Sequence, residues 1–486
     1  MKTSAGRGVV VIAILLATFM AAMEATVIGT AMPTVVGDLG GLELYGWVGA
    51  IYMLAATVTM PVYGKLADVF GRKPVMLFGI CVFLAGSAAS GLARSMVMLI
   101  VMRGIQGLGA GGIQPISMTI LGDIYTPAER ARIQALFGGV WGVAGIAGPL
   151  LGGLIVHALS WRWVFYVNVP FGALAAALLV FRYREKLEQP AKRPPIDVLG
   201  ALLLSAFVLT LLGGARGSIA LLAASAIALV LFVVAERRHP SPMLPIDLLT
   251  RRLIAVSSAC GALLGAVMSA VVIYVPLYVQ SVLLRSATMA GTTVAPMLVG
   301  WPLASALSGR MLLRTGPRPL VRVGLAAVAV SAVVIDRVIA GGGSIIALQV
   351  TMFFVGIGMG LANTALLIAV QESVGFAQRG VATATTMFFR TIGGALAVGI
   401  LGSLLASVLA GRVPEEILDE LLGPEHGRTL APELVRTIGG VLQSGMTTLF
   451  HVVAGVSVAG TLLAVVFPDV KLDTQRTSSK STTSGA

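Results

Sequence analysis

Three ionisable residues stand inside otherwise apolar stretches of this chain: Glu24, Arg103 and Arg390. Glu24 follows the run Gly8–Met23 and is followed by uncharged residues as far as Pro33. If that stretch crosses a bilayer, a charge inside it costs roughly 2.5–3.5 kcal/mol on insertion scales. A carboxylate so placed needs a cation, a water-filled cavity or a proton. A nearby cation favours its charged form and desolvation its neutral form. A group held between those two influences takes up and releases a proton as access alternates between the two sides of a membrane. Arg103 is the expected cation. Glu24 lies roughly 13 Å from the outer end of its helix and Arg103 roughly 10 Å from the outer start of its own, at 1.5 Å per residue. The chemistry implied is proton transfer, with Glu24 and Arg103 as the proton-coupling pair. A static buried pair that only orients helices is the plainer alternative.

The elements that position these residues are apolar helices. The chain has 486 residues, of which 57% are hydrophobic and 11% charged, and its mean hydropathy is +0.94. That composition belongs to a polytopic membrane protein. Apolar runs bounded by charge, Gly or Pro predict fourteen spans, near 9–32, 45–66, 75–93, 96–122, 133–157, 163–181, 196–213, 218–235, 254–280, 289–309, 320–339, 345–368, 380–409 and 446–467. An even number leaves both termini on one side. Of the 34 Lys and Arg residues, 24 fall in loops on the side of the termini and eight on the other, which puts both termini in the cytoplasm. The net charge of +13 therefore reflects inside loops rather than a nucleic-acid surface. Cys81 and Cys260 lie in apolar runs, and the four His are scattered, so the sequence indicates no disulfide framework and no metal site. No nucleotide-binding Gly-Lys-Ser/Thr loop or soluble catalytic domain is found, so an ATP-driven pump or an enzyme is disfavoured.

The expected organisation is a six-helix bundle over 1–181, a basic linker with two inserted helices over 182–253, and a second six-helix bundle over 254–469. A Ser/Thr-rich tail, 470–486, reads as disordered. The long outer segment 411–445 is expected to carry short amphipathic helices at 415–422 and 433–442. It reads as a cover over the mouth or as a dock for a partner. An internal echo supports the two bundles. Gly64–Pro74 and Gly309–Pro319 place Gly, Gly, a cation and Pro at the same offsets, 245 residues apart. In the first copy, Asp68 is expected to cap a facing helix N-terminus and Arg72 to reach Asp123, forming a cytoplasmic gate. Helix five carries Gly145, Gly148, Pro149, Gly152 and Gly153, spaced for close helix contact and a bend. Thr26, Gln106, Tyr274, Gln280, Asn363 and Arg390 are further polar candidates for a cavity or pathway. Glu372 and Asp336 read as groups meeting the interface at helix ends.

These motifs resemble those of the major facilitator superfamily. Gly64–Pro74, with Gly64, Asp68, Gly71, Arg72 and Lys73, is similar to its signature loop. Leu99–Gly109 and Gly145–Gly153 resemble its antiporter motifs on the fourth and fifth helices, and Trp161–Pro170 the entry to its sixth. Met23–Pro33 resembles the first-helix motif of the fourteen-spanner drug/proton antiporter branch, with Glu24 where Asp is usual, Gly29 where Asn is usual, and Ala144 in place of a fifth-helix Gly. The resemblance implies an all-α polytopic fold of two six-helix bundles plus two inserted helices. It implies a monomeric proton antiporter in the cytoplasmic membrane of a bacterial-type cell. Its substrates would be small amphiphilic or hydrophobic compounds, often cationic. It would need no cofactor, with the proton gradient as energy source and protons and lipid as its other partners. A dedicated exporter of one metabolite, lipid, siderophore or amino acid is the nearest rival, and a non-transporting sensor or scaffold a remote one.

Overall fold

A computed structural model describes residues 4–41, 44–185, 197–215, 218–409, 412 and 432–470. Fourteen long helices run through them. They are α1 (Ser4–Leu39), α2 (Tyr45–Phe70), α3 (Arg72–Gly91), α4 (Met96–Ile124), α5 (Pro127–Ala158) and α6 (Trp163–Tyr166, resuming as Asn168–Arg182). There follow α7 (Val198–Gly214), α8 (Ile219–Arg238), α9 (Arg252–Ser281), α10 (Ala287–Thr315), α11 (Pro317–Ala340), α12 (Ile345–Glu372), α13 (Arg379–Leu409) and α14 (Pro432–Val465). Twelve are long and apolar enough to cross a membrane. The other two are α5, bent by 41° between Gly145 and Leu150, and α7, which is apolar but shorter. Pro149 falls within that stretch of the sequence, and proline has no N–H to donate to a helical ladder.

Local sequence sets the helix ends. The Ser95 side chain accepts from Met98 N (3.2 Å) to start α4, and Thr126 with Glu129 forms a capping box before α5 with Pro127 at its first turn. The tight reversals α2–α3 and α10–α11 turn on Gly71 (φ 99°) and Gly316 (φ 74°), the matching glycines of the internal echo. Only a residue without Cβ enters that region freely.

The same packing occurs in both halves. In the first, α1 packs on α5 and α6, and α4 on α2 and α3. In the second, α9 packs on α13 and α14, and α12 on α10 and α11. The halves meet along two seams, α2 against α13 and α5 against α10. Helices α7 and α8 form a hairpin laid over the first seam, where Leu204, Val208 and Phe232 pack with Met60 of α2 and with Phe388 and Ile392 of α13.

Some sequence expectations need correction or fall outside these residues. The proposed separate helix at 433–442 is the opening of α14, continuous with the last span: the helix runs through Gly439, Gly440 and Gly445, and no proline after Pro432 interrupts it. The helix proposed at 415–422 and most of segment 411–445 lie outside the described residues, as do most of the linker after Glu185 and the tail after Val470.

Candidate functional site

The carboxylate of Glu24 projects from α1 into the middle of the first half, only 2% exposed. Arg103 of α4, 1% exposed, meets its Oε1 through Nη1 in an ion pair. Asn168, in the first turn of the second segment of α6, donates its amide to Oε2. Asn168 also donates to Ser87 Oγ of α3 (3.0 Å), whose hydroxyl donates to Phe165 O (2.8 Å). Arg103 in turn donates to Gln106 Oε1 (2.7 Å) and to Val48 O (3.2 Å), and its guanidinium lies 4.3 Å from the centroid of the Tyr52 ring. Four helices, α1, α3, α4 and α6, thus converge on one carboxylate. The pair is compensated and enclosed, which is what makes a buried charge tolerable. One donor is left over: Gln106 Nε2 is buried without a partner.

Glu24 and Arg103 are brought together at the same depth, as the spacing along their helices predicts. Asn168, Ser87 and Tyr52 were missed. Asn168 stands in the sequence as a lone polar residue just before Pro170, a position easily read as a helix start, and Ser87 as one small residue among many.

A second polar cluster lies at the opposite ends of these helices, where the halves touch. The Asp68 carboxylate accepts from Gly380 N (2.9 Å) and Val381 N (2.8 Å), the opening N–H groups of α13. Helix N-termini favour an anion there, both by their dipole and by their unpaired donors. Arg72 holds Asp68 (2.9 Å) and Asp123 (3.0 Å), donates to Phe376 O across the seam (2.7 Å), and lies 4.1 Å from the centroid of the Phe376 ring. Arg379 pairs with Asp123 from the other half (2.8 Å), and Arg130 with Glu372 (2.6 Å). Gln371 adds a bond to Met118 O (3.0 Å). Lys73 takes no part: its ammonium donates to Val180 O within its own half (2.8 Å), and Glu185 caps the start of α3 through Arg72 N and Lys73 N. Gly64 and Gly380 let α2 and α13 touch, since a Cβ on Gly64 would fall 2.5 Å from Ala384 Cβ and 2.9 Å from Gly380 O.

Glu372, read from the sequence as a group at the interface, is instead an ion-pair partner of Arg130, drawn inward by a cation 242 residues away. Arg130, Gln371 and Arg379 were missed because nothing local marks a partner so distant in the chain.

The contacts between halves run from this cluster to mid-helix. On one seam they are Asp68, Gly64 and Met60 of α2 against Gly380, Ala384 and Thr391 of α13. On the other they are Ala131, Gly138 and Gly145 of α5 against Gly309, Pro302 and Leu298 of α10. Farther from the cluster, α2 exposes Met53 and Trp47, and α5 exposes Leu150, Leu151 and Leu154. Beyond Gly145, α5 turns to its own half: Thr26 donates to Ala144 O (3.0 Å), and Gly148 and Gly152 sit against Thr26 and Thr30. A Cβ on Gly153 would meet nothing within 4 Å. Among the described residues the halves are therefore clasped at one face and parted at the other.

The remaining sequence candidates divide. Tyr274 donates to Val398 O (2.9 Å) and joins α9 to α13, while Gln280 only reaches back to Pro276 O (3.5 Å). Both are bonds inside the second half. Arg390 donates to Asn363 Oδ1 (2.9 Å) and makes no ion pair among the described residues. At the parted face, Asp38 accepts from Trp161 Nε1 (2.9 Å) and Arg162 Nη1 (2.8 Å). Those hydrogen bonds, first from Trp161 and then from Arg162, hold its carboxyl below the usual aspartate range.

This architecture can be set beside known proteins. The family model described as Major Facilitator Superfamily matches residues 14–398. The chain belongs to that superfamily. It is 32% identical over 458 residues to the multidrug transporter protein MdtP of Bacillus subtilis (strain 168), covering 90% of this chain and 83% of the relative. It is 34% identical over 415 residues to multidrug resistance protein 3 of the same organism, covering 83% and 80%. Among solved structures, the human organic anion transporter MFSD10 (TETRAN) superposes with a TM-score of 0.65 at 18% identity, over 95% of this chain and 100% of that one. The proton:xylose symporter XylE superposes at 0.63 and 13% identity, over 96% and 97%. These two likenesses concern the fold. As a major facilitator, the protein is a multi-pass membrane transporter of small substrates, and its bilayer-crossing helices carry relatives named for multidrug efflux.

Proposed function

We propose that this protein is a proton-coupled exporter of small amphiphilic compounds, working as a single chain in the cytoplasmic membrane of a bacterial-type cell by alternating access. The observation that carries this reading is the carboxylate of Glu24, enclosed by Arg103 and Asn168 in the first half while the halves are clasped at the far end. The bias of basic residues toward the loops at the clasped face supports a cytoplasmic orientation for that face. The conformation is then the one open outward. Rupture of the Asp68, Arg379 and Arg130 contacts opens the cytoplasmic side, in the manner of an interface with two discrete packings. Protonation of Glu24 releases its hold on Arg103 and lets α1 and α4 move apart. A proton gradient supplies the energy, and no cofactor takes part. The relatives' names for multidrug transport agree with a substrate defined by shape and greasiness rather than by one hydrogen-bond pattern.

Purified protein in liposomes with an imposed proton gradient tests this. Gradient-driven movement of an amphiphilic dye is expected, and Glu24→Gln is expected to abolish the gradient-driven part. Coupling that survives in Glu24→Gln would overturn the role given to Glu24.

A further inference from the structure

Arg390 is the cation that the mechanism above leaves unused. It lies mid-way along α13, far from either helix end, and is half-buried. Its one hydrogen-bond partner among the described residues is the carbonyl oxygen of the Asn363 side chain on α12. Two described acids of the second half's helices have other places: Glu372 meets Arg130, and Asp336 lies beside Arg337 and His451 near the far end of α11. Glu24, in the first half, is held by Arg103 and Asn168. Away from the helix ends, the described residues thus hold one neutralised pair, Glu24 with Arg103, and one cation, Arg390, without an ion-pair partner.

The position of that charge is telling. The next residue, Thr391, lies 3.9 Å from Met60 Sδ and, with Ile392, marks the outer limit of the contacts named on its seam. Arg390 therefore stands at the floor of the parting between the halves. Its Cγ is overlaid by Gly265 of α9, where a Cβ would come within 3.1 Å of it, so the side chain is directed toward α12. Among the described residues the guanidinium nitrogens other than Nη1 make no hydrogen bond, and none of them is fully enclosed. A guanidinium offers five N–H donors in a planar fork that matches carboxylates and sulfonates. An intramembrane charge facing a cavity marks a substrate or ion path.

We propose that Arg390, oriented by Asn363, is the recognition site for an acidic group, and that the substrates are amphiphiles bearing a carboxylate or sulfonate on an apolar body. This rests on the exporter reading and narrows its substrate class. It reverses the expectation of cationic substrates. The carboxylate at mid-helix depth among the described residues, Glu24, is already occupied by Arg103, whereas the charge at Arg390 that lacks an ion-pair partner is positive.

A matched pair of probes tests it: anilinonaphthalene sulfonate and its uncharged parent, phenylnaphthylamine, with tetraphenylphosphonium as a cation. In proteoliposomes with an imposed proton gradient, the sulfonate is expected to half-saturate transport at a concentration about tenfold below that of the parent, the scale of one hydrogen-bonded charge. Arg390→Gln is expected to remove that advantage and leave transport of the parent within about twofold, the latter also showing that the variant is folded. Arg390→Lys is expected to keep part of the preference, since the charge remains without the fork. Wild-type transport of the parent or the phosphonium but not the sulfonate overturns the proposal and leaves the exporter reading standing. Equal loss of sulfonate and parent in Arg390→Gln assigns Arg390 to bracing and also overturns it. No gradient-driven movement of any probe defeats the exporter reading itself, and the proposal with it.

Discussion

Replacing Asp68 by Ala removes the two hydrogen bonds that tie α2 to the start of α13. Both bonds have a charged acceptor, and at the low end of the usual range each contributes about 1.5 kcal/mol. Together that is about 3 kcal/mol, or roughly a hundredfold change in the balance between clasped and unclasped states. The ion pair with Arg72 does not enter this figure, because Arg72 belongs to the same half and moves with Asp68. Asp68→Asn keeps one acceptor oxygen and is expected to show roughly half the free-energy change. Spin labels at Arg132 and Arg314, both exposed and on facing ends of α5 and α10, report the separation. Cys81 and Cys260 are first replaced, since both are free thiols. Wild-type protein is expected to give one short distance. Asp68→Ala is expected to give a second, longer population comparable in size to the first if the clasped form starts about a hundredfold ahead. An unchanged distance distribution in Asp68→Ala would refute the reasoning, because it would mean that these bonds are made equally in both states.

Glu24→Gln leaves Arg103 without its counter-charge, and breaking a buried pair from one side costs about 3–5 kcal/mol; a lower midpoint of thermal unfolding in detergent is expected together with the loss of coupling. Gly64→Val places carbon where Ala384 and Gly380 already stand, so the seam cannot close and labels at the same two positions are expected to report the separated state. The Asp38 carboxyl is held below the ordinary aspartate value, so its clasp on Trp161 and Arg162 is fully formed above that value and lost as pH falls through the lowered one. Fluorescence assigned to Trp161 by comparison with Trp161→Phe is therefore expected to stay constant from neutral to about pH 5 and to change only below about pH 4; a change centred near pH 6 would contradict it.

The helices were legible because lipid imposes one rule on every span: the backbone must satisfy itself internally, and the side chains must be apolar over about 20 residues. Each predicted stretch coincides with a helix, although α1 runs on to Leu39 and α14 begins well before its apolar part. The two reversals at Gly71 and Gly316 were visible as an echo, because glycine in a left-handed turn leaves a mark on sequence. Partners across the seams were less visible. Asp68 and Asp123 could be singled out as acids at helix ends, but Arg379, Arg130 and Gln371 gain significance only from a neighbour more than 200 residues distant. Asn168 was hidden differently: it reaches Glu24 because α6 breaks at Val167 and restarts, a local interruption inside an apolar run. Arg390 read equally as a structural brace or as part of a substrate or proton pathway, since the absence of a counter-charge belongs to three dimensions.

The hairpin of α7 and α8 makes the two seams mechanically unequal. Over α2 and α13 it lays a protein gasket, gripped at one end by Met60 and at the other by Ser403, which donates to Ala215 O (3.3 Å). No such cover lies over α5 and α10 among the described residues. In the rocking proposed above, one flank would shear against packed protein and the other against acyl chains. Bilayer tension and thickness would then load the molecule from a single flank, with lipid composition acting through α5 and α10 as a spring acts on one side of a lever.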